Sequence, residues 1–203
     1  MFASIFQKIP VYRRNFEKLR KTEREIDMWY VIQTTTGKEE ELAGIVRRNV
    51  SHALYDSCFS MKRELLKRLG GGWMTVTETM FPSYVFLETE QPERLFYELK
   101  RLPEYTRLLG DNEGCFIPLE KEEEHFLDIL CRNEKEMCVA GLTTLDLDEN
   151  GGIQKADGPL QFFLDKIVKL NLRKRFAVVE LKVAGKEWRA MMGIRLLKDL
   201  NRI

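Results

Sequence analysis

The chain lacks the residues and patterns on which most enzymes, metalloproteins and membrane proteins depend. It has 2 histidines and 4 cysteines in 203 residues, and neither type is spaced as metal ligands are. No GxSxG, P-loop or HExxH pattern occurs, and no apolar run approaches the ~20 residues that cross a bilayer. The N-terminus lacks the pattern of a secretory signal. These absences predict a cytoplasmic, non-enzymatic protein without a cofactor or a metal.

The four cysteines are predicted to be free thiols. Cys58, Cys115, Cys131 and Cys138 are scattered along the chain and form no CxxC pair. A reducing compartment keeps such thiols reduced. We therefore expect structural cysteines rather than a disulfide or a zinc site.

The formal net charge of +1 hides a strong charge asymmetry along the chain. Residues 1–27 carry +3, residues 28–150 carry −9 and residues 151–203 carry +7. An acidic module followed by a small basic one predicts two domains with different partners. The acidic module is suited to a protein partner, and the basic one to nucleic acid.

Residues 28–135 have the pattern of an α+β domain. Aromatic and β-branched runs indicate strands, and apolar residues at 3–4 spacing indicate helices. The predicted elements are strands at 29–34, 73–80, 81–87 and 108–118, an extended segment at 56–69, and helices at 39–50, 93–101 and 120–131. The strand at 81–87 is the most hydrophobic and is predicted to be central, and Gly70–Gly72 is predicted to be a hairpin tip. This order predicts an antiparallel sheet packed with helices.

The remaining segments are predicted to flank and follow that domain. Residues 1–27 are expected to be a poorly ordered N-terminal extension. Residues 136–152 are expected to be a linker that ends in a polar, glycine-containing run, and a short strand at 137–147 within it stays open. Residues 153–203 carry only short strand patterns, at 164–172, 176–183 and 188–197, so they predict a small all-β barrel without a helix.

Several motifs, in this order along the chain, resemble the NusG family. The run from Trp29 to Thr34 with Gly37-Lys38-Glu39 resembles the start of that family's N-terminal domain. Phe81-Pro82-Ser83-Tyr84-Val85 is similar to a strand that the family usually writes FPGYV. The segments 157–160 and 173–179 resemble the C-terminal KOW barrel. The resemblance covers about residues 28–200, and its details look most like the LoaP branch of antiterminators.

The resemblance implies a fold and a set of partners. It implies an NGN-like domain that binds RNA polymerase, at the β′ clamp helices and toward the β subunit, followed by an SH3-like KOW barrel. The protein would be a monomeric elongation and antitermination factor that suppresses pausing and termination. In LoaP-like members the barrel contacts RNA, here a structured leader RNA. In housekeeping members it binds ribosomal protein S10 or Rho, and this alternative stays open.

The candidate polymerase-binding residues are aromatic and lie in the strands that carry the resemblance. They are Trp29, Phe81, Tyr84 and Phe86. Aromatic side chains are good interface anchors, but core packing is the competing interpretation. Phe81 and Tyr84 are three residues apart, so they face the same way only if Pro82 breaks the strand alternation. Ser83 stands where the family has glycine, which is harmless only if the turn does not need positive φ.

The candidate nucleic-acid-binding residues are cations of the predicted barrel. They are Lys169, Arg173, Lys174, Arg175, Lys186 and Arg189. The run 173–175 lies at a predicted turn, where its charges either neutralise phosphates or form an ordinary solvated loop. Phe176 and Trp188 are interpreted as core residues rather than base-stacking ones. The cations at 62–63 and 67–68 near the hairpin tip either contact upstream DNA, as the family implies, or protect a sheet edge.

Overall fold

The computed structural model describes residues 28–103, 105, 116–131 and 138–200. The strands are β1 (Met28–Gln33), β2 (Ser57–Phe59), β3 (Lys62–Leu69), β4 (Gly72–Thr79), β5 (Tyr84–Thr89), β6 (Phe116–Pro118), β7 (Val139–Ala140), β8 (Thr143–Leu147), β9 (Ile153–Asp157), β10 (Ile167–Asn171), β11 (Phe176–Val183) and β12 (Lys186–Leu196). The helices are α1 (Glu39–Asn49), α2 (Pro92–Lys100), α3 (Lys121–Leu130) and α4 (Leu197–Leu200), with 3-10 segments at His52–Leu54 and Pro159–Lys166. The predicted extension at 1–27 lies outside the described residues.

A four-stranded antiparallel sheet in the order β2-β5-β1-β6 forms the first domain. β5 is a central strand, as predicted, and all six of its residues are buried. Because successive side chains of a strand point to opposite faces, a fully buried strand means that both faces of the sheet are covered. One face, with Tyr30 and Val85, packs on residues of α1 and α2. The other face, with Trp29 and Phe86, packs on α3 and the second domain.

The three helices of the first domain follow from their sequences. α1 begins with three glutamates and ends with Arg47 and Arg48, an arrangement that complements the helix dipole. α2 begins at Pro92, whose missing N–H costs nothing in the first turn. α3 begins with a capping box between Glu120 and Glu123. The predicted start of this helix near residue 120 is therefore confirmed.

β3 and β4 form a hairpin that extends beyond the first sheet. The two strands pair over their whole length, from Lys62↔Thr79 to Leu69↔Gly72. Gly70 and Gly71 both have positive φ, 59° and 89°, which a two-residue type I′ turn requires. The predicted hairpin tip is thus confirmed. β7 adds to the other edge of β3 in parallel.

The second domain is a curled five-stranded sheet in the order β10-β11-β12-β8-β9, which we call the barrel sheet. The fold class, an α+β domain followed by a small β domain, is confirmed. β8 pairs in parallel with β12, although it lies inside the segment predicted as a linker. The prediction that no helix follows residue 152 was wrong. Residues Pro159–Lys166, predicted in part as a strand, form 3-10 turns that begin at a proline.

The prediction of free cysteines was wrong for two of the four residues. Cys131 and Cys138 form a disulfide between the end of α3 and the start of β7, with their Cα atoms 4.6 Å apart. Cys58 is a free, buried thiol, and burial raises its pKa to about 12. Cys115 lies outside the described residues. The spacing of Cys131 and Cys138 matches no motif, so only the meeting of α3 and β7 in the fold brings the two sulfurs together.

Candidate functional site

The four residues predicted to bind polymerase lie together on the sheet face opposite α1 and α2. Trp29, Phe81, Tyr84 and Phe86 are all buried in one cluster. We call these four residues, together with Phe59, the aromatic patch; Tyr84 is linked to the other rings through Trp188. Ring centroids are 5.6 Å apart for Trp29 and Phe59, and 5.8 Å apart for Phe81 and Phe86. Phe59 was missed from sequence, because β2 is too short to show an alternation.

A tight turn brings Phe81 and Tyr84 to the same face. Ser83 has φ 70°, in the left-handed region, so the regular alternation of β5 does not extend back to Phe81. The buried Glu39 carboxylate holds this turn. Its Oε1 accepts hydrogen bonds from the backbone N–H groups of Ser83 at 2.6 Å and Gly37 at 3.0 Å. The turn does need positive φ, so the replacement of glycine by Ser83 is not conformationally neutral.

A Ser83→Gly protein is expected to be more stable than the parent by about 0.5–1 kcal/mol. Left-handed backbone costs a non-glycine residue roughly 1–2 kcal/mol, and the added chain entropy of glycine offsets about half of that. The change also removes the Ser83 Oγ to Thr36 Oγ1 hydrogen bond of 2.6 Å, which is exposed and contributes little. Urea denaturation measures the difference. Ser83→Ala keeps the strain and loses the bond, so it should not stabilise; stabilisation by both variants would contradict the strain argument.

Trp188 of β12 covers the aromatic patch. Its ring lies 5.5 Å from Phe81 and 5.0 Å from Tyr84, edge to face in both pairs. The interpretation of Trp188 as a packing residue fits this position. Its indole N–H is buried and has no hydrogen-bond acceptor among the described residues. A buried, unsatisfied donor costs about 1–3 kcal/mol. The packing of Trp188 on the aromatic patch therefore stabilises the protein less than the buried area of its ring suggests.

Polar contacts at the start of α3 add to the same interface. Lys182 Nζ donates to Glu120 Oε2 at 2.9 Å, and this hydrogen bond raises the pKa of the lysine. The backbone N–H of Gly185 donates to Glu123 Oε1 at 3.1 Å. The acidic run that caps α3 therefore also holds the β11–β12 turn. The lysine pair is exposed, so it contributes little stability but orients the two domains.

Gly193 lies where β12 approaches the backbone of β3 closely. A Cβ at this position would lie 2.3 Å from the backbone oxygen of Glu64 in β3 and 2.6 Å from Leu142 Cδ2. A glycine inside a strand often marks such a close backbone approach. The contact of β12 with β3 therefore depends on the absence of a side chain at Gly193.

A groove of about 520 Å³ lies between the β3–β4 hairpin and the β10–β11 turn, and we call it the basic groove. It brings together the hairpin cations and the run 173–175, which sequence reasoning had treated as separate candidates. Its polar and aromatic lining residues are Lys67, Arg68, Trp73, Arg173, Lys174, Arg175 and Phe176. Arg68, Arg173 and Lys174 are exposed, and none has an ion-pair partner within the described ranges.

Arg175 differs from its two neighbours because it is fixed in place. Its Nε and Nη2 donate to the Asp199 carboxylate at 2.9 and 3.1 Å, and its Nη1 donates to the Leu172 carbonyl. Its guanidinium lies over the Trp73 ring, 5.2 Å from the centroid. Only 12% of the side chain is exposed. Arg175 therefore supports Trp73 from one side and is poorly placed to meet a phosphate.

The remaining candidate cations divide between the groove and other surfaces. Lys169 lies near the groove, with its Nζ 6.0 Å from the Phe176 ring. Lys186 and Arg189 lie toward the other end of the β11–β12 pair, and Arg189 is 3.1 Å from Glu180. Within the hairpin, Lys67 pairs with Glu78, and this hydrogen bond lowers the pKa of the glutamate. The six barrel cations thus do not form one site.

Two further kinds of site were sought among the described residues, a metal centre and a membrane-spanning helix. It contains no group of three or more His, Cys, Asp or Glu side chains that could hold a metal ion. None of the described helices is long and apolar enough to cross a membrane.

Comparison with known proteins identifies relatives over most of the chain. Residues 27–127 match the family model described as transcription termination factor NusG. The transcription termination/antitermination protein NusG of Rickettsia conorii is 24% identical over 83% of this chain and 88% of its own. That of Bacillus subtilis is 24% identical over 78% of this chain and 90% of its own. A solved structure from Thermotoga maritima, described as domain interaction in NusG, is 15% identical, with TM-score 0.39, over 83% of this chain and 94% of that one.

The family model covers about half of the chain, and the curated relatives extend the match into the barrel sheet. Members of this family are transcription factors without enzymatic activity, which agrees with the lack of a catalytic motif in the sequence. The chain therefore belongs to the NusG family of transcription termination and antitermination factors.

Proposed function

We propose that this NusG-family protein is a specialised antitermination factor of the LoaP type. Its aromatic patch binds RNA polymerase, at the β′ clamp helices and toward the β subunit, and so suppresses pausing and termination. Its basic barrel contacts a structured leader RNA. The aromatic patch is the observation that carries the proposal, because large aromatic rings on one face of a sheet are the usual anchors of a protein interface.

The covered patch adds a condition to this function. Phe81 and Tyr84 can meet polymerase only after Trp188 and the barrel sheet move away. The unsatisfied indole N–H of Trp188 favours such a movement, and the exposed Lys182–Glu120 pair opposes it only weakly. We therefore describe the protein as closed in this structure and open when bound to polymerase.

The test is an in vitro termination assay with purified polymerase, on templates with and without a structured leader. The parent protein should increase readthrough, and most strongly with the leader. Tyr84→Ala should remain folded and lose this effect on both templates, because the open form would lack an anchor. Tyr84→Phe, which keeps the ring and loses only the hydrogen bond from Gln33 Nε2 at 3.3 Å, should retain it.

The direction of the Tyr84→Ala effect separates an anchor from a packing residue. Loss of the Tyr84–Trp188 contact alone would loosen the closed form and increase polymerase binding. Loss of a polymerase anchor decreases it. Increased readthrough by Tyr84→Ala would therefore contradict the proposed role. Co-purification of ribosomal protein S10 or Rho, without RNA binding, would favour the housekeeping adaptor function for the barrel.

A further inference from the structure

We propose that the basic groove binds a short single-stranded segment of nucleic acid in the closed protein. This inference rests on the proposed function, because it assigns part of that RNA contact to a surface shared by both domains. It depends on three properties of the groove, namely its free cations, its aromatic platform and its size.

The cations of the groove face each other across the domain boundary. Arg68 comes from β3 of the first domain, and Arg173 and Lys174 come from the turn after β10. All three are exposed and carry no ion pair among the residues described. Three unpaired cations around one groove produce a positive potential that is complementary to a phosphate backbone.

Trp73 provides a stacking platform between these cations. It is 40% exposed, which is unusual for tryptophan in a small domain. Arg175 lies against its ring and is itself held by Asp199 and Leu172, so the ring is fixed before a ligand binds. Stacking on a fixed aromatic side chain is the common way to hold an unpaired base, and it tolerates any sequence.

The size of the groove selects a single strand. A volume of about 520 Å³ has room for an unpaired base with its sugar and phosphate, and a duplex does not fit inside it. The apolar lining from Leu66, Leu69 and Met191 suits splayed bases rather than water. A loop or an unpaired end of a leader RNA meets these requirements, and so does a single-stranded DNA segment.

The test measures the binding of a labelled oligonucleotide of about eight nucleotides by fluorescence anisotropy, first RNA and then DNA of the same sequence. Trp73→Ala should weaken binding about tenfold or more. Tyr97→Ala is the matched control, since Tyr97 is similarly exposed, 39%, but lies on α2 away from the groove.

Arg173→Glu with Lys174→Glu should weaken binding further and reduce its salt dependence. Lys166→Glu, on the barrel surface outside the groove, controls for charge.

Gly193→Ala tests whether both walls are needed. It removes no charge, but it separates β12 from β3 and so pulls the barrel cations away from Trp73. We expect weaker binding than in the parent, with circular dichroism unchanged.

Tighter binding of RNA than of DNA assigns the groove to RNA, and the reverse assigns it to a DNA strand. Either result supports the groove as a single-strand binding site.

Any of three results would contradict the proposed groove without contradicting the proposed function. One is binding at parental strength by both Trp73→Ala and Gly193→Ala. The second is an equal loss with Lys186→Glu and Arg189→Glu, which would assign binding to the barrel surface as a whole. The third is absence of binding to either oligonucleotide. The termination assay with Tyr84→Ala tests the polymerase function separately.

Discussion

A Gly193→Ala protein is expected to open and to bind RNA polymerase more tightly than the parent. The added Cβ would lie 2.3 Å from the backbone oxygen of Glu64. Because this clash is with a backbone atom, no rotation of a side chain can relieve it. Overpacking of this kind costs about 1–3 kcal/mol. That cost falls on the closed form alone, because Glu64 belongs to the other domain. The equilibrium therefore shifts about 5- to 150-fold toward the open form, and polymerase affinity rises by up to the same factor.

Two measurements check this expectation. Titration with polymerase gives the affinity. NMR amide correlation spectra show, by changes in chemical shift, whether the contact between Trp188 and Phe81 is lost. Gly72→Ala is the matched control, because a Cβ at Gly72 would have no atom within 4 Å. It should leave both measurements unchanged. Parental spectra for Gly193→Ala would show that the strands adapt to the methyl group, and the closed contact would then not depend on this glycine.

The elements predictable from sequence are those whose local pattern agrees with their environment. β5 and α1 were predicted within a few residues, because an apolar strand and an amphipathic helix bury the faces that their periodicity indicates. The glycine pair at the hairpin tip was equally clear, since few other residues adopt its backbone angles.

The features that the sequence does not reveal are decided by tertiary contacts rather than by a local pattern. β8 lies in the segment predicted as a linker, and its place in the barrel sheet comes from two pairings, one with the neighbouring β9 and one with β12 about fifty residues later. The apolar run at 162–164 could equally form a strand, and a proline-led 3-10 segment replaces it. No periodicity encodes the meeting of Cys131 and Cys138.

The candidate sites show the same division. The aromatic residues near Ser83 can be recognised from sequence as a set. Phe81 and Tyr84 face the same side only because Ser83 has a left-handed backbone conformation, which a serine does not indicate. Arg173 to Arg175 looked like one cationic unit, and the fold splits it into two free side chains and one buried support for Trp73. The groove itself exists only because two domains meet, so no segment alone could have predicted it.

A Phe81→Ala protein is expected to lose about 3–5 kcal/mol of unfolding free energy. Phe81 is fully buried and its ring contacts Phe86, Phe126 and Trp188 at centroid distances of 5.8, 5.9 and 5.5 Å. Removal of the ring leaves a cavity beneath three others, which cannot all collapse into it. Phe81→Leu keeps most of the volume and should cost less than about 1.5 kcal/mol. Urea denaturation measures the unfolding free energy of both variants, provided that the dependence of that free energy on urea concentration (the m-value) is unchanged.

The same substitution on a Gly193→Ala background shows how much of this stability comes from the second domain. Once the protein is open, the Phe81–Trp188 contact is already lost, so Phe81→Ala should cost less by about 0.5–1.5 kcal/mol. A change below about 0.5 kcal/mol for Phe81→Ala in the parent would mean that Phe81 is a surface anchor with no packing role. A full cost on both backgrounds would mean that Phe81 is core in the open form too. Tyr84, rather than Phe81, would then be the residue that the open form presents to polymerase.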